Sequence, residues 1–204
     1  MRTFHAAPYD SRLSGNAWKV RILLRQLGLP FERVTLDLAT GVTKQPDFRA
    51  KGRFARIPVL ELEDGRTLVE SAAILLYLAK GTRLLPDDKY LRAEVTSWLT
   101  FEQADLLKAL ALPRFWHMRG IQEQMKQRIA DFHEATYPAL QLLEDWLAAH
   151  QWLVDERYTV ADLGVFGYVA MAEEGGYDMQ RFPAIRRWLD QIKQQPGYVP
   201  LVED

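Results

Sequence analysis

Two short stretches of the chain combine residue types that could bind a small peptide-like molecule. The first is Arg56-Ile57-Pro58, where Pro58 opens an apolar run. Proline cannot donate to a sheet ladder, so Pro58 is expected at the first residue, the edge or a bulge of a strand. With a cis bond before Pro58, the backbone groups of Ile57 turn outward and become available to an extended peptide. A trans proline that only opens a strand is the alternative.

The second stretch, Glu70-Ser71, stands immediately before an apolar segment with helical spacing. A helix start offers unpaired backbone N–H groups and the positive end of the helix dipole, to which Ser71 adds a hydroxyl. These groups suit a carboxylate, such as that of an α-amino acid head group. Taken alone, the pair also fits an ordinary helix start with a favourable acidic residue.

The spacing of the two stretches favours one ligand for both. An edge for an extended backbone and a site for an amino-acid head group together match glutathione. The arrangement resembles the cytosolic glutathione transferases, and the resemblance covers essentially the whole chain. It favours the cis form of the Ile57–Pro58 bond and implies that Glu70 and Ser71 bind the γ-glutamyl end. It also nominates Arg56 for the glycyl carboxylate, with a plain surface arginine as the alternative.

A third stretch, Ser14-Gly15-Asn16, resembles the catalytic segment of serine-type, bacterial-like members of that family. In those members a hydroxyl at a helix start donates to the glutathione sulfur. A free thiol has a pKa near 8.5, and a hydroxyl donor and a helix N-terminus both stabilise the thiolate and lower that pKa. The resemblance nominates Ser14 as the donor, because it precedes Lys19 with the spacing of the family serine. Asn16 could add a second polar contact to the sulfur.

Three alternatives to a catalytic Ser14 stay open. Ser14 could act only as the N-cap of a helix, which is the usual role of serine before such a pattern. Ser11 lies in the same connection between strand and helix. Tyr9 lies near the end of the first strand, where tyrosine-type relatives place their sulfur donor.

Composition excludes several other classes of function. The net charge of -1 over 204 residues gives no field that would attract nucleic acid or an anionic membrane. The chain contains no cysteine, so it has neither a thiol nucleophile of its own nor a thiolate metal site. No His, Asp or Glu cluster has metal-ligand spacing. Without a membrane-spanning run or a signal-peptide pattern, we expect a cytoplasmic protein.

Hydrophobic spacing predicts the elements that must position these residues. Strand-like and helix-like segments alternate over the first 80 residues. The strand-like segments are 3–9, 31–38, 57–62 and 67–69, and the helical ones are 16–27 and 72–79. Asp64-Gly65 predicts a hairpin between the last two strands. The order matches the thioredoxin-like half of a glutathione transferase, with a mixed four-stranded sheet.

Hydrophobic spacing predicts only helices in the second half of the chain. Its helical segments are 89–112, 120–149, 159–174 and 182–195, with Pro113 among the breaks. The short polar segment 81–89 is the best domain boundary. We therefore expect an α+β protein with a thioredoxin-like domain at 1–80 and an all-α domain at 90–204.

One helix start in the second half has a specific signature. Thr159 and Asp162 form a capping box, in which Thr159 caps the helix and Asp162 reaches back to the Thr159 N–H. Tyr158 and Leu163 would form the accompanying hydrophobic staple. This box is structural in any functional interpretation.

The sequence departs from the family pattern at Lys51-Gly52-Arg53-Phe54, where many relatives have Asn-Pro-x-Gly. This departure leaves the conformation near the glycyl end of glutathione open. Lys51 and Arg53 add positive charge there, which could assist a carboxylate, although solvation is the favoured interpretation.

The resemblance implies a pocket for a second substrate between the domains. Its candidate lining residues are Phe101, Leu106, Phe115 and Trp116. Aromatic side chains at helical spacing are more often core or dimer contacts, and that alternative stays open.

The predicted function is glutathione S-conjugation to a small hydrophobic electrophile, a detoxification reaction, by a homodimer of the kind usual in the family. Glutathione is a co-substrate, and no cofactor is expected. The same thiolate could instead reduce disulfides or peroxides, or isomerise a ring. A third hypothesis is a non-catalytic binding or scaffold protein. Non-catalytic members of the family often lose the serine or the Glu-Ser pair, whereas this chain retains both.

Overall fold

The computed structural model describes residues 6–202, which divide into two compact units. The first unit contains a four-stranded sheet in the order β2-β1-β3-β4. Its strands are β1 (Ala6–Asp10), β2 (Val34–Thr35), β3 (Val59–Leu62) and β4 (Thr67–Val69). β1 pairs parallel with β2 and antiparallel with β3, which pairs antiparallel with β4. The predicted mixed sheet and the hairpin at Asp64-Gly65 are confirmed.

Two predicted strands have different bounds in the structure. The strand expected at 3–9 is observed as Ala6–Asp10, and residues 3–5 lie outside the described part of the chain. The strand expected at 31–38 is reduced to Val34–Thr35, with Phe31 forming only an isolated bridge to Ala6. The alternation of apolar and polar residues in 31–38 therefore overstated the length of this edge strand.

The α-helices of the first unit are α1 (Gly15–Gln26), α2 (Pro46–Lys51) and α3 (Ser71–Ala79), and short 3-10 helices lie at Leu38–Thr40 and Val42–Lys44. α1 begins immediately after Ser14, and α3 begins immediately after Glu70. The N-terminal ends of both helices thus coincide with the stretches that the sequence nominated for chemistry.

A buried ion cluster holds the start of the connection that carries Ser14. The Asp10 carboxylate ends β1, is buried, and lies 2.8 Å from Arg21 Nε and 2.7 Å from Arg33 Nε. Breaking a buried pair leaves an uncompensated charge, so this cluster strongly favours one arrangement of β1 and α1.

The end of the chain groups with the first unit. Trp18 Nε1 donates to the Val199 carbonyl oxygen at 2.8 Å, and an Arg21 guanidinium nitrogen donates to that of Leu201 at 2.7 Å. The sequence assigned 195–204 to the helical domain, whereas the structure divides the chain at Thr82 and again at Gln195. The segment 195–204 is short and contacts the first unit through its backbone carbonyl oxygens. It therefore has no hydrophobic periodicity from which its place in the fold could be predicted.

The second unit, Arg83–Gln194, consists of helices. The α-helices are α4 (Lys89–Phe101), α5 (Leu107–Met118), α6 (Lys126–Ala149), α7 (Val160–Val169) and α8 (Pro183–Lys193), with a π-helical turn at Glu102–Leu106 and short 3-10 helices at Ala172–Gly175 and Met179–Arg181. The capping box of Thr159 and Asp162 at the start of α7 is confirmed. Among the described residues, no helix has both the length and the apolar content needed to cross a bilayer.

Pro113 does not end a helix, contrary to the sequence prediction. It lies inside α5, where proline leaves the carbonyl of the residue four positions earlier without its usual donor. That residue is Ala109, and the Tyr177 hydroxyl donates to its carbonyl oxygen at 2.9 Å. A hydrogen bond from a distant residue therefore compensates for the one that Pro113 removes.

Position 52, in the segment that departs from the family pattern, requires glycine because two side chains lie close to its backbone. A Cβ at position 52 would lie 2.8 Å from Val59 Cγ2 and 2.9 Å from Phe48 Cε1, and both side chains are buried. We expect Gly52→Ala to lower the free energy of unfolding by about 2 kcal/mol, because overpacking forces these side chains to shift. Urea denaturation measures this loss.

A double-mutant cycle identifies the cause of the loss. The cost of Gly52→Ala should be smaller in a Val59→Ala background, where the nearest clashing atom is absent. An equal cost in both backgrounds would show that contact with Val59 is not the cause.

Candidate functional site

Ser14 is the N-cap of α1. Its backbone is extended (φ -82, ψ 114), and its Oγ accepts a hydrogen bond from the Ala17 N–H at 3.2 Å. Its own N–H donates to the Ser11 carbonyl oxygen at 3.0 Å, which closes the turn before the helix. A serine hydroxyl has one donor in addition to its acceptor positions, so capping the helix leaves the Ser14 proton available to a ligand. The cap role and a donor role are therefore compatible.

Asn16 joins the starts of α1 and α3. Its Oδ1 accepts from the Ser71 hydroxyl at 3.3 Å and from Lys19 Nζ at 3.0 Å. Ser71 is the first residue of α3 and is buried. Two helix N-termini, each with unpaired N–H groups and a positive dipole end, thus lie beside one another, which favours an anionic ligand.

Glu70 has a strained backbone at the start of α3. Its φ is 70° and its ψ is 121°, a combination that residues with a Cβ rarely adopt. Within residues 6–202, its side chain caps no N–H of α3. Strained residues persist where the surrounding structure determines them, and they cluster at ligand sites.

The Ile57–Pro58 bond is cis, as the sequence analysis favoured. Pro58 is buried and directly precedes β3, whose Val59 pairs with Val69 of β4. Because this pairing is antiparallel, the residues just before β3 and just after β4 lie side by side. Ile57-Pro58 and Glu70-Ser71 are therefore neighbours at one end of the hairpin.

Comparison with known proteins identifies the family to which this fold belongs. The sequence pattern described as "Glutathione S-transferase, N-terminal domain" matches residues 13–80, and the one described as "Glutathione S-transferase, C-terminal domain" matches residues 102–196. The chain belongs to the glutathione S-transferase family. The thioredoxin-like first unit and the helical second unit are those of this family's fold.

Individual relatives cover almost the whole chain. A crystal structure of a glutathione S-transferase from Pseudomonas fluorescens is 37% identical, with a TM-score of 0.95 over 97% of this chain and 99% of that one. The disulfide-bond oxidoreductase YfcG of Escherichia coli is 26% identical over 89% of this chain and 87% of its own length. The protein URE2 of Debaryomyces hansenii is 24% identical over 94% of this chain and 75% of its own length.

Tyr9, an alternative sulfur donor in this family, has its hydroxyl engaged elsewhere. It donates to Glu61 Oε2 at 2.7 Å, and Lys51 Nζ lies 2.7 Å from the same oxygen. Burial, together with the bond to Glu61, raises the pKa of the Tyr9 phenol. The hydroxyl proton is thus committed to Glu61, which disfavours Tyr9 as the donor.

The charged residues in and just after Lys51-Gly52-Arg53-Phe54, where the sequence departs from the family pattern, make different contacts. Lys51 ends α2 and pairs with Glu61, so the interpretation of Lys51 as simply solvated is wrong. Arg53 stacks over the ring of the half-exposed Phe54, 4.9 Å from its centroid. Arg56 is exposed, next to the cis bond.

The four candidate pocket residues of the helical unit are not brought together. Leu106 and Trp116 are buried in the core of this unit, whereas Phe115 is half-exposed. Phe101 packs edge-on against Trp98, with ring centroids 5.7 Å apart. Phe101 and Trp116 are separated along nearly continuous helix by about 22 Å at 1.5 Å per residue. A single small pocket cannot contain all four side chains.

Sequence reasoning missed the contribution of Lys19, which it used only to fix the spacing of Ser14. The signal was present, because Asn16 and Lys19 are three residues apart and share a helix face. Among residues 6–202, no group of three or more His, Cys, Asp or Glu side chains could hold a metal ion.

Proposed function

We propose that the protein is a glutathione transferase that activates the glutathione thiolate for conjugation to small hydrophobic electrophiles. The observation that carries this proposal is the hydrogen bond between Asn16 and Ser71, which holds the starts of α1 and α3 together. A ligand with a thiol near one helix start and an α-amino acid group near the other would span both, and glutathione has that form.

Ser14 would act on the sulfur. The hydroxyl donates to the sulfur more strongly when it is a thiolate, and the positive end of α1 favours the same charged state. Each unit by which the thiol pKa falls corresponds to about 1.4 kcal/mol of preferential stabilisation. The thiolate then attacks an electrophilic carbon, forms the carbon–sulfur bond and displaces a leaving group.

The rest of the tripeptide would be held by the neighbouring stretches. We assign the γ-glutamyl amine to the Glu70 carboxylate and its carboxylate to Ser71 and the first N–H groups of α3. The Ile57 backbone beside Pro58 would pair with the extended part of the peptide. Arg56 would contact the glycyl carboxylate, which its exposed position permits.

The remaining assignments follow the family. The electrophile would contact apolar residues of the helical unit, and of the four candidates Phe101 and Phe115 keep exposed surface. The working form would be a homodimer, and the protein would act in the cytoplasm.

One relative favours a second activity. The Escherichia coli protein named a disulfide-bond oxidoreductase matches 89% of this chain. With no cysteine in the chain, bound glutathione would supply the thiolate. It would attack one sulfur of a glutathione-linked disulfide, form oxidised glutathione and release the other sulfur as a thiolate. A reductase would turn over such a disulfide faster than an aryl halide.

The thiol pKa of bound glutathione tests the proposed function. We expect ultraviolet difference absorbance against pH to give a pKa well below the free value near 8.5 in the wild type. In Ser14→Ala the pKa should rise by about 1 to 2 units, because the hydroxyl donor is lost. Ser11→Ala is the matched control and should leave the pKa unchanged.

Three results would contradict the proposal in different ways. Binding without a depressed pKa in the wild type would favour a binding or scaffold role. A depressed pKa that reverts in Ser11→Ala would assign the donor to Ser11. Absence of binding would remove the functional claim altogether.

A further inference from the structure

Lys19 is buried in the first unit although its side chain carries a charge. Its side chain lies in α1 and is only 1% exposed. Its Nζ donates to Asn16 Oδ1 at 3.0 Å. Lysine is rarely buried to this extent, because removing an ammonium from water is costly unless hydrogen bonds compensate. The burial of this ammonium beside Asn16 therefore indicates that it acts on the Asn16 amide.

An ammonium fixes the orientation of the amide that it faces. It can only donate, so the Asn16 atom facing Lys19 is the carbonyl oxygen and not the NH2 group. The Ser71 hydroxyl donates to the same oxygen, but a hydroxyl can also accept and would tolerate either orientation. Lys19 is thus the group that selects the orientation.

The selected orientation leaves the donors of Asn16 available. Asn16 is half-buried, and within residues 6–202 its Nδ2 donates no hydrogen bond to the protein. Asn16 stands two residues after Ser14 in the first turn of α1. Its two N–H donors are therefore left available in the turn of α1 that Ser14 caps.

We infer that Lys19 is a positioning residue, which holds the Asn16 amide so that its Nδ2 donors face the glutathione sulfur. This inference rests on the proposed function. The last torsion of asparagine has two broad minima half a turn apart. A thiolate only accepts hydrogen bonds, so one orientation stabilises it and the other places an oxygen against it. Lys19 would act by excluding the second orientation.

A double-mutant cycle on the thiol pKa of bound glutathione tests this role. Lys19→Met should raise the pKa by about 1 unit, which lowers the thiolate fraction about tenfold at pH values below the pKa. In an Asn16→Ala background, Lys19→Met should cause no further rise, because the amide through which it acts is absent. Lys44→Met, at an exposed position in the same unit, is the control and should change nothing.

Each other outcome overturns the inference. An equal rise in both backgrounds would mean that the ammonium acts directly through its field, and no rise would mean that it has no role. If Lys19→Met does not fold by circular dichroism, Lys19→Gln replaces it. Glutamine can present either an oxygen or an NH2 group to Asn16, so it no longer excludes the second orientation. The thiol pKa of bound glutathione should then rise in Lys19→Gln, and a wild-type value would refute the inference.

The same measurements separate this inference from the proposed function. If the wild type does not depress the thiol pKa, both are wrong. If the wild type depresses it and Ser14→Ala reverts it while Lys19→Met does not change it, only the role of Lys19 is wrong.

Discussion

Replacement of Asp162 with asparagine is expected to lower the free energy of unfolding by about 3 kcal/mol at pH 8. The Asp162 side chain is fully buried at the start of α7. Its Oδ1 accepts from the Leu153 N–H and from Trp188 Nε1, both at 3.0 Å, and its Oδ2 accepts from the Thr159 N–H at 2.9 Å. The carboxylate thus ties the start of α7 to α8 and to the segment before it.

Asparagine cannot reproduce these contacts because it has one acceptor oxygen. Whichever way the amide turns, its NH2 group faces at least one buried N–H donor, which is then left without an acceptor. The charge-assisted bonds also become neutral ones. Burial raises the pKa of Asp162 to about 6, and the bonds from Trp188, Thr159 and Leu153 oppose this rise. At pH 8 the group is therefore a carboxylate.

Urea denaturation at pH 8, followed by tryptophan fluorescence and far-ultraviolet circular dichroism, measures this loss. The matched control is Asp145→Asn, because Asp145 is exposed in α6 and its Oδ1 only accepts from Gln141. Surface changes of this kind stay within about 0.5 kcal/mol. If Asp162→Asn unfolds at the same urea concentration as the control, the three hydrogen bonds that Asp162 accepts from N–H groups do not contribute to stability.

The elements that the sequence predicted well are those with a local chemical cause. Asp64-Gly65 specifies a tight turn, and Thr159 with Asp162 caps a helix through bonds between near neighbours. Pro113 was misleading because the bond that keeps α5 helical comes from Tyr177, far along the chain. No pattern within a short window contains that information.

The candidate site shows the same difference between local and long-range interactions. Ser14, Glu70 and the cis bond before Pro58 were nominated from short motifs, their spacing and the family that they resemble. The bond from Ser71 to Asn16 was not, because it joins two helices that are far apart along the chain. The engagement of Tyr9 by Glu61 likewise depends on strand pairing, so the sequence nominated Ser14 as the donor but left Tyr9 open.

Replacement of Glu70 is expected to separate stability from binding. Both Glu70→Gly and Glu70→Ala remove the carboxylate that we assign to the γ-glutamyl amine. Loss of a hydrogen bond between charged groups should weaken glutathione binding roughly 10- to 100-fold in each variant. Isothermal titration calorimetry with glutathione measures both affinities.

The two variants should differ in stability. Glycine adopts the φ of 70° without the clash that a Cβ causes, so Glu70→Gly relieves the strain and Glu70→Ala keeps it. The strain relief exceeds the extra chain entropy that glycine loses on folding. We therefore expect the glycine variant to be more stable than the alanine variant by about 1 kcal/mol.

This pair of variants has a clear contrary outcome for each claim. A glycine variant less stable than the alanine variant would mean that the backbone at position 70 is not strained, whatever the binding result, because only the entropy cost of glycine would then remain. Unchanged glutathione affinity in both variants would remove Glu70 from the binding site while leaving the strain argument intact. Weaker binding in both, with higher stability only in the glycine variant, would mean that the chain tolerates a strained backbone in order to place a carboxylate where the ligand needs it.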